Sequence, residues 1–451
     1  MKVRKSVFIS ALYLSLAIIG YIFTPRQMEF SMTLYVLTVS VAVGALIYYY
    51  KHRKKSNYLD FDTLFIVTCY MIGFISSFFY GKVFYKALFF FEFNYSYLNS
   101  GAWLFTIGMT SYFLGGLSFK NTIIKLVNEN CRILPTKPIF ILVTFLMLMF
   151  IVTGGISFYK NYYMGDKTVE NGIASYLLLL ISILVIILFS TEFLNKSKAK
   201  NYSIHKLYIL VILGFSVLLL YSGNRTQALL LILPIIGLYA YLFRPILLRE
   251  FVYLIIPAII GMWIVQNLRS YNKINTSLES PALVFLDMTI PSRSTYESME
   301  YVDNNGITFG KSMSASVIGL IPGLAGVIMD GNINEYGSAE TLSEYTFNKL
   351  NTPKEYQIGL GTNTIADIYL AFGIVGTIIL MFFLARIIRW FELKTLNLSI
   401  YGAVGFSALL ANSVFLARSS YTHPIRYVVW SIILVGIYKT LIHTSRKNKL
   451  L

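Results

Sequence analysis

Four arginines stand where bases are least expected. Arg225, Arg269, Arg293 and Arg418 fall at or near the ends of long apolar blocks, on the side of the hydropathy pattern that otherwise gathers little positive charge. A guanidinium keeps its charge when partly desolvated, and its flat fork of N–H donors matches two phosphate oxygens at once. Several such groups around one cavity suit a diphosphate. A plainer reading stands beside this one: each arginine snorkels to the interface or pairs with a carboxylate one turn away, as Arg293 would with Glu297. Two of the four sit in short punctuated turns. Arg225 follows Tyr221-Ser222-Gly223-Asn224, a turn too short to carry it far from the membrane boundary, and Arg418 occupies a similar place in Leu416-Ala417-Arg418-Ser419-Ser420-Tyr421-Thr422-His423-Pro424.

The elements that must position these side chains follow from composition. Of 451 residues, 56% are apolar and only 13% charged, too little polar surface for a soluble fold of this size. The apolar residues fall in blocks of about 18 to 24, the length that crosses a hydrocarbon layer as a helix, without the alternation of a barrel strand. The pattern predicts an all-α, polytopic membrane protein with about twelve spans. They are placed near residues 6–23, 30–50, 64–80, 102–119, 138–156, 173–191, 207–221, 226–243, 251–268, 361–385, 400–417 and 425–441. The first block follows Lys2, Arg4 and Lys5 like a signal peptide, but no small-residue cleavage site follows it, so a retained span is expected.

Charge sets the orientation. Alternate loops collect Lys51, Arg53, Lys54 and Lys55, then Lys120, Lys125, Arg132 and Lys137, then Lys196, Lys198, Lys200 and Lys206, and finally Arg446, Lys447 and Lys449. Those loops, and both termini, are expected on the cytoplasmic side of a bacterial inner membrane. The net charge of +17 is therefore a topology signal and no nucleic-acid footprint, because the bases flank spans instead of forming one stripe. Residues 269–360 become one large outer loop between the ninth and tenth spans, in a single integral membrane domain covering 1–451. Within that loop, Ser312 to Met329 is apolar but broken by Ile321-Pro322-Gly323, and reads as re-entrant or as two interfacial half-helices.

Other chemistry is thin. Cys69 and Cys131 have no neighbouring ligands at metal spacing, and neither a Walker loop, a dinucleotide fingerprint nor a Gly-x-Ser-x-Gly elbow occurs. No metal or cofactor is expected. Most of the 34 tyrosines cluster at span ends as interfacial residues; Tyr271, Tyr296 and Tyr369, near the outer loop, are placed to stack on sugar faces or to bond them.

The stretch Gly359-Leu360-Gly361-Thr362-Asn363-Thr364-Ile365-Ala366-Asp367-Ile368-Tyr369-Leu370-Ala371-Phe372-Gly373-Ile374-Val375-Gly376 resembles the signature that opens a late span in Wzy-type polysaccharide repeat-unit polymerases of the O-antigen and capsule pathways. Ser222-Gly223-Asn224-Arg225 is similar to that family's short outer turn, and Gly319-Leu320-Ile321-Pro322 to its Ile-Pro segment. Asp367 stands where the family more often has Glu, and Gly323 where a basic residue is common.

The resemblance implies a GT-C-like membrane glycosyltransferase that needs no metal. It would move a chain held on undecaprenyl pyrophosphate onto a new lipid-linked repeat unit at the outer face, in company with membrane lipid, a flippase and a chain-length regulator. Such a reaction needs positive charge where the diphosphate leaves and a base for the acceptor proton. Arg225, Arg293 and Arg418, assisted by Arg269, would supply the charge; Asp367, His423 and Glu297 are the candidates for the base. Two alternatives remain: an O-antigen ligase, which shares the leaving group, and a lipid-linked oligosaccharide flippase or transporter. Against the last, no internal repeat is evident and the spans read as nearly free of charge.

Overall fold

A computed structural model describes residues 5–53, 55–79, 94–119, 134–163, 172–199, 205–270, 289–321, 324–328, 336–352 and 359–448. Among these every regular element is helical. The longer helices are α1 (Lys5–Phe23), α2 (Met32–Arg53), α3 (Phe61–Tyr70), α4 (Leu98–Ser118), α5 (Lys137–Val152), α6 (Gly155–Tyr163), α7 (Gly172–Lys198) and α8 (Lys206–Tyr221). They continue with α9 (Arg225–Leu242), α10 (Leu248–Ser270), α11 (Arg293–Asn305), α12 (Ser338–Lys349), α13 (Thr364–Leu396), α14 (Ile400–Ala411) and α15 (Ile425–Asn448). Side-chain caps start several of them: Asp60 Oδ1 accepts the Thr63 N–H at 2.9 Å for α3, Asn224 Oδ1 that of Gln227 at 3.2 Å for α9, and Asn363 Oδ1 that of Ala366 at 2.9 Å for α13.

Seven helices among the described residues are long and apolar enough to cross a membrane, and the protein is a multi-pass membrane protein. They cover seven of the twelve expected spans. Of the rest, α8 and α14 are apolar but shorter. The expected fifth span is not one rod. It stops at Val152, and α6 leaves at 59° after Gly154, whose φ of +74° only glycine adopts readily. The eleventh is interrupted at Asn412, beyond which a short turn of helix runs Ser413–Leu416. Residues 312–329 form no continuous helix either: a four-residue helix, Ala315–Ile318, and a five-residue one, Leu324–Ile328, flank the proline-glycine position.

Packing explains why α4 is less apolar than a lipid-facing span. Nearly all of its residues are buried, including Asn99, Ser100, Thr106, Thr110 and Ser111, because α1, α2 and α13 surround it. Small residues let these helices touch. A Cβ on Gly108 would stand 2.4 Å from Ile365 Cδ1, and one on Gly115 would stand 2.2 Å from the Phe382 carbonyl oxygen. On the other side, α7 is flanked by α5, α9, α14 and α15. Lipid-facing surfaces remain apolar, as at Phe8, Leu12, Leu16 and Ile19 on α1 and Leu207, Leu210 and Val217 on α8.

The helix α13 is bent at Gly373, whose φ of 65° and ψ of −156° lie outside the helical region. A break of this kind frees carbonyls that the membrane interior cannot solvate. The Leu370 carbonyl is taken by the Thr308 N–H at 2.9 Å, so the turn that follows α11 packs into the break. The first segment of α13, Thr364 to Phe372, is thereby held as a short unit of its own.

Candidate active site

Three segments far apart in sequence meet at the start of α13. The Arg293 guanidinium is buried and donates from Nη2 to the Leu360 carbonyl at 3.0 Å, and Ser294 Oγ donates to the Gly361 carbonyl at 3.1 Å. Asn363 caps α13 with its oxygen and uses its amide nitrogen on the Pro291 carbonyl at 2.7 Å and on Thr295 Oγ1 at 3.0 Å. The start of α11 and the start of α13 are thus joined by one fully buried amide. From the other direction comes the loop after α14. Thr364 Oγ1 donates to the Leu416 carbonyl, and Asp367 Oδ2 accepts the Tyr421 N–H at 2.8 Å. Arg418, half-buried, lies between those two anchors.

Burial sets the electrostatics. Desolvation works against the charge of Arg293, and the neighbouring Glu297 carboxylate works to restore it. Burial pushes the Glu297 carboxyl up to about 7, opposed by Arg293 and the Thr346 hydroxyl. A carboxyl titrating there can give or take a proton near neutrality. His423 is driven the other way, down to about 4, by burial and then by the positive charge of Arg426. Its imidazole is neutral at pH 7, sits edge-on to Phe415 with ring centroids 4.7 Å apart, and has a buried Nε2 with no hydrogen-bond partner among the described residues.

Arg225 reaches this neighbourhood through its own helix. It opens α9, half-buried, two residues before Gln227, whose side-chain oxygen accepts from Ser182 Oγ at 3.3 Å and whose side chain lies near Tyr427. Tyr427 in turn faces His423, ring centroids 5.8 Å apart. Arg269 is in the last turn of α10, and its side chain lies outside the described ones, as do Tyr271, Pro322, Gly323 and Cys131.

The aromatic expectations are corrected. Tyr296 is 2% exposed: its ring lies on α4, where a Cβ on Gly101 would stand 2.6 Å from it, and its hydroxyl is 3.2 Å from Ser77 Oγ. Tyr369 is also 2% exposed and meets the Tyr21 hydroxyl of α1 at 3.4 Å. Both rings are committed to helix packing, so neither presents a face to a sugar.

The structure also shows polar groups that sequence reading passed over. Asn363, Thr295 and Tyr421 organise the site without being charged. At the opposite end of α13 a buried ion network joins four helices: Arg389 donates to Asp62, Tyr49 and Glu392, Arg53 reaches Glu392 at 2.8 Å, and the Tyr112 hydroxyl bonds Asp62. Its four charged members, Arg53, Asp62, Arg389 and Glu392, lie just beyond the ends of the expected spans 30–50, 64–80 and 361–385. No group of three or more His, Cys, Asp or Glu able to hold a metal ion occurs among the described residues.

No curated protein and no solved structure matches this chain. One family model does, and it covers residues 6–448. The chain belongs to the O-antigen polysaccharide polymerase Wzy family.

Proposed function

We propose that this protein polymerises undecaprenyl-pyrophosphate-linked oligosaccharide repeat units into O-antigen or capsular polysaccharide at the outer face of a bacterial inner membrane. The observation that carries this reading is the junction at the start of α13, where the segments bearing Arg293 and Glu297, Asp367, and Arg418 are tied to one another through Asn363, Thr364 and the Tyr421 N–H. In it the chain has twelve spans with both termini in the cytoplasm, and the junction lies on the outer side. Asp367 near the start of α13 and Arg389 near its end are roughly 30 Å apart at the helical rise, about the thickness of the hydrocarbon layer.

The reaction breaks the bond between the reducing-end sugar of the growing chain and its lipid diphosphate, and forms a glycosidic bond to an acceptor hydroxyl. Arg225, Arg293 and Arg418 stabilise the departing diphosphate, with Arg269 assisting, so the charge a metal might supply comes from guanidinium groups. One of Glu297, Asp367 and His423 takes the acceptor proton. Glu297, pushed up to about 7 by burial, can take a proton near neutrality. A flippase that delivers the units and a chain-length regulator are the partners implied.

The test is purified protein with synthetic undecaprenyl-pyrophosphate repeat unit, without nucleotide. A ladder of products is expected; a single unreacted band from folded protein would sink the reading. In cells, loss of the protein should leave one repeat unit on its acceptor, whereas loss of all attached units would point to a ligase.

A further inference from the structure

Arg426 is the second residue of α15 and half-buried, yet among the described residues it has no hydrogen bond and no carboxylate within ion-pair distance. Its surroundings are built. The guanidinium lies against Gly319, where an added Cβ would stand 2.5 Å from Nη2 and 3.3 Å from Cζ. The strip that carries Gly319 is fastened to the same end of α15: Thr422 Oγ1 donates to the Met313 carbonyl at 3.0 Å and Trp430 Nε1 to the Leu320 carbonyl at 3.1 Å. One turn before Arg426 is His423, kept neutral by burial and then by the charge of Arg426, and the next residue, Tyr427, lies near Gln227 of the Arg225 helix. A cation held partly out of water beside backbone and a neutral imidazole is costly unless an anion completes the site.

We propose that Arg426 is a further phosphate-contacting residue of this site, aimed by the missing side chain at Gly319, and that its ligand is the diphosphate of the lipid-linked substrate. The inference rests on the reading of the arginine cluster given above. Phosphate oxygens on an ordinary phospholipid headgroup offer similar chemistry, and the source has to be separated by experiment. Two substitutions probe the geometry from opposite sides. Arg426→Ala removes the charge. Gly319→Val keeps it and displaces the guanidinium, the flexible partner in that contact.

The experiment uses the full chain in dodecyl maltoside micelles, which carry no phosphate, titrated with farnesyl diphosphate as probe, with melting temperature as the folding control and Arg426→Gln in reserve should the alanine variant not fold. Arg426→Ala is expected to weaken binding about tenfold or more, the usual worth of a charge-assisted contact. Gly319→Val should weaken it in the same direction, and Arg426→Lys should recover only part of the loss. Wild-type diphosphate affinity in folded Arg426→Ala overturns the proposal. So does a loss seen only as weaker binding of phosphatidylglycerol added to those micelles, with the affinity for the probe unchanged, which would make Arg426 a headgroup anchor. If Arg293→Ala weakens the probe and Arg426→Ala does not, only this inference fails; if neither does, the arginine-cluster reading falls with it.

Discussion

The Asp367 carboxylate accepts the backbone N–H of Tyr421 at 2.8 Å, and through that bond the loop bearing Arg418 and His423 is tied to the first turn of α13. Asp367→Asn keeps an acceptor for that N–H and discards the charge; Asp367→Ala discards both. The alanine variant should lose about 1–3 kcal/mol of stability, because it leaves the N–H in a site with little water, while the asparagine variant should melt close to wild type. Ladder formation by folded Asp367→Asn, measured on repeat-unit substrate, isolates the role of the charge. Normal ladders there would remove Asp367 from the candidates for the base.

Replacing Arg225, Arg293 or Arg418 by Ala should abolish long chains at matched protein level, and replacement by Lys should also impair them. Losing one charge-assisted bond to a developing anion costs roughly thirty-fold to a thousand-fold in rate. Lys keeps the charge but offers a point donor in place of a two-pronged fork. Arg293 carries a second duty, since it also holds the Leu360 carbonyl, so its alanine variant should be less stable than the other two. Wild-type ladders from all three alanine variants would make these residues interfacial anchors and nothing more.

Glu297 makes stability depend on pH. Its folded pKa of about 7 lies above the ordinary 4.5, so the folded state holds the proton more tightly than the unfolded one. Its contribution is fully present below pH 4.5 and is lost as pH rises through about 7. Glu297→Gln, neutral throughout, should therefore melt close to wild type at pH 4.5 and higher than wild type at pH 8, by about 1–3 kcal/mol. Thermal melts of both proteins in detergent at the two pH values check this. Equal melting at pH 8 would mean that the carboxylate is better solvated than its burial implies.

Much of the architecture could be read from the residues, because lipid leaves few options: an apolar run of span length between basic loops has to be a helix. The tenth span was expected from residue 361 and α13 begins at Thr364, but the Asn363 cap that fixes this start was passed over. The break inside it was not legible either. Gly373 sits among other small and apolar residues, and only the Thr308 N–H, far off in sequence, shows that the Leu370 carbonyl has been released. Tyr296 and Tyr369 misled for a related reason, since a tyrosine near a loop looks interfacial until its partner is known, Gly101 for the one and Tyr21 for the other. Arg426 was hidden in the same way. Nothing in its own segment says that Gly319 lies under the guanidinium.

The ion network at the other end of α13 gives the sharpest stability prediction. Arg389 is 3% exposed and bonds Asp62, itself fully buried, so the pair links α13 to α3 across more than 300 residues of sequence. Tyr49 and Tyr112 complete the acceptor needs of Asp62, and Arg53 lies 3.7 Å from it. Removing one partner of such a pair leaves a charge that neither water nor lipid solvates, at a cost of about 3–5 kcal/mol. Removing both at once relieves that penalty. Arg389→Met alone should therefore lower yield and melting temperature sharply, and Asp62→Asn with Arg389→Met should recover a large part of the loss. Glu392 still has Arg53 within 2.8 Å as a partner, but Arg389→Met also removes the bonds to Glu392 and Tyr49, so the cycle reads the coupling of Asp62 to Arg389 within that network. Heating detergent extracts and following the monodisperse peak by size exclusion gives all four corners. Additive losses, with the double variant worse than either single one, would show that Asp62 and Arg389 stabilise the helices independently, and that their hydrogen bond is incidental to the fold.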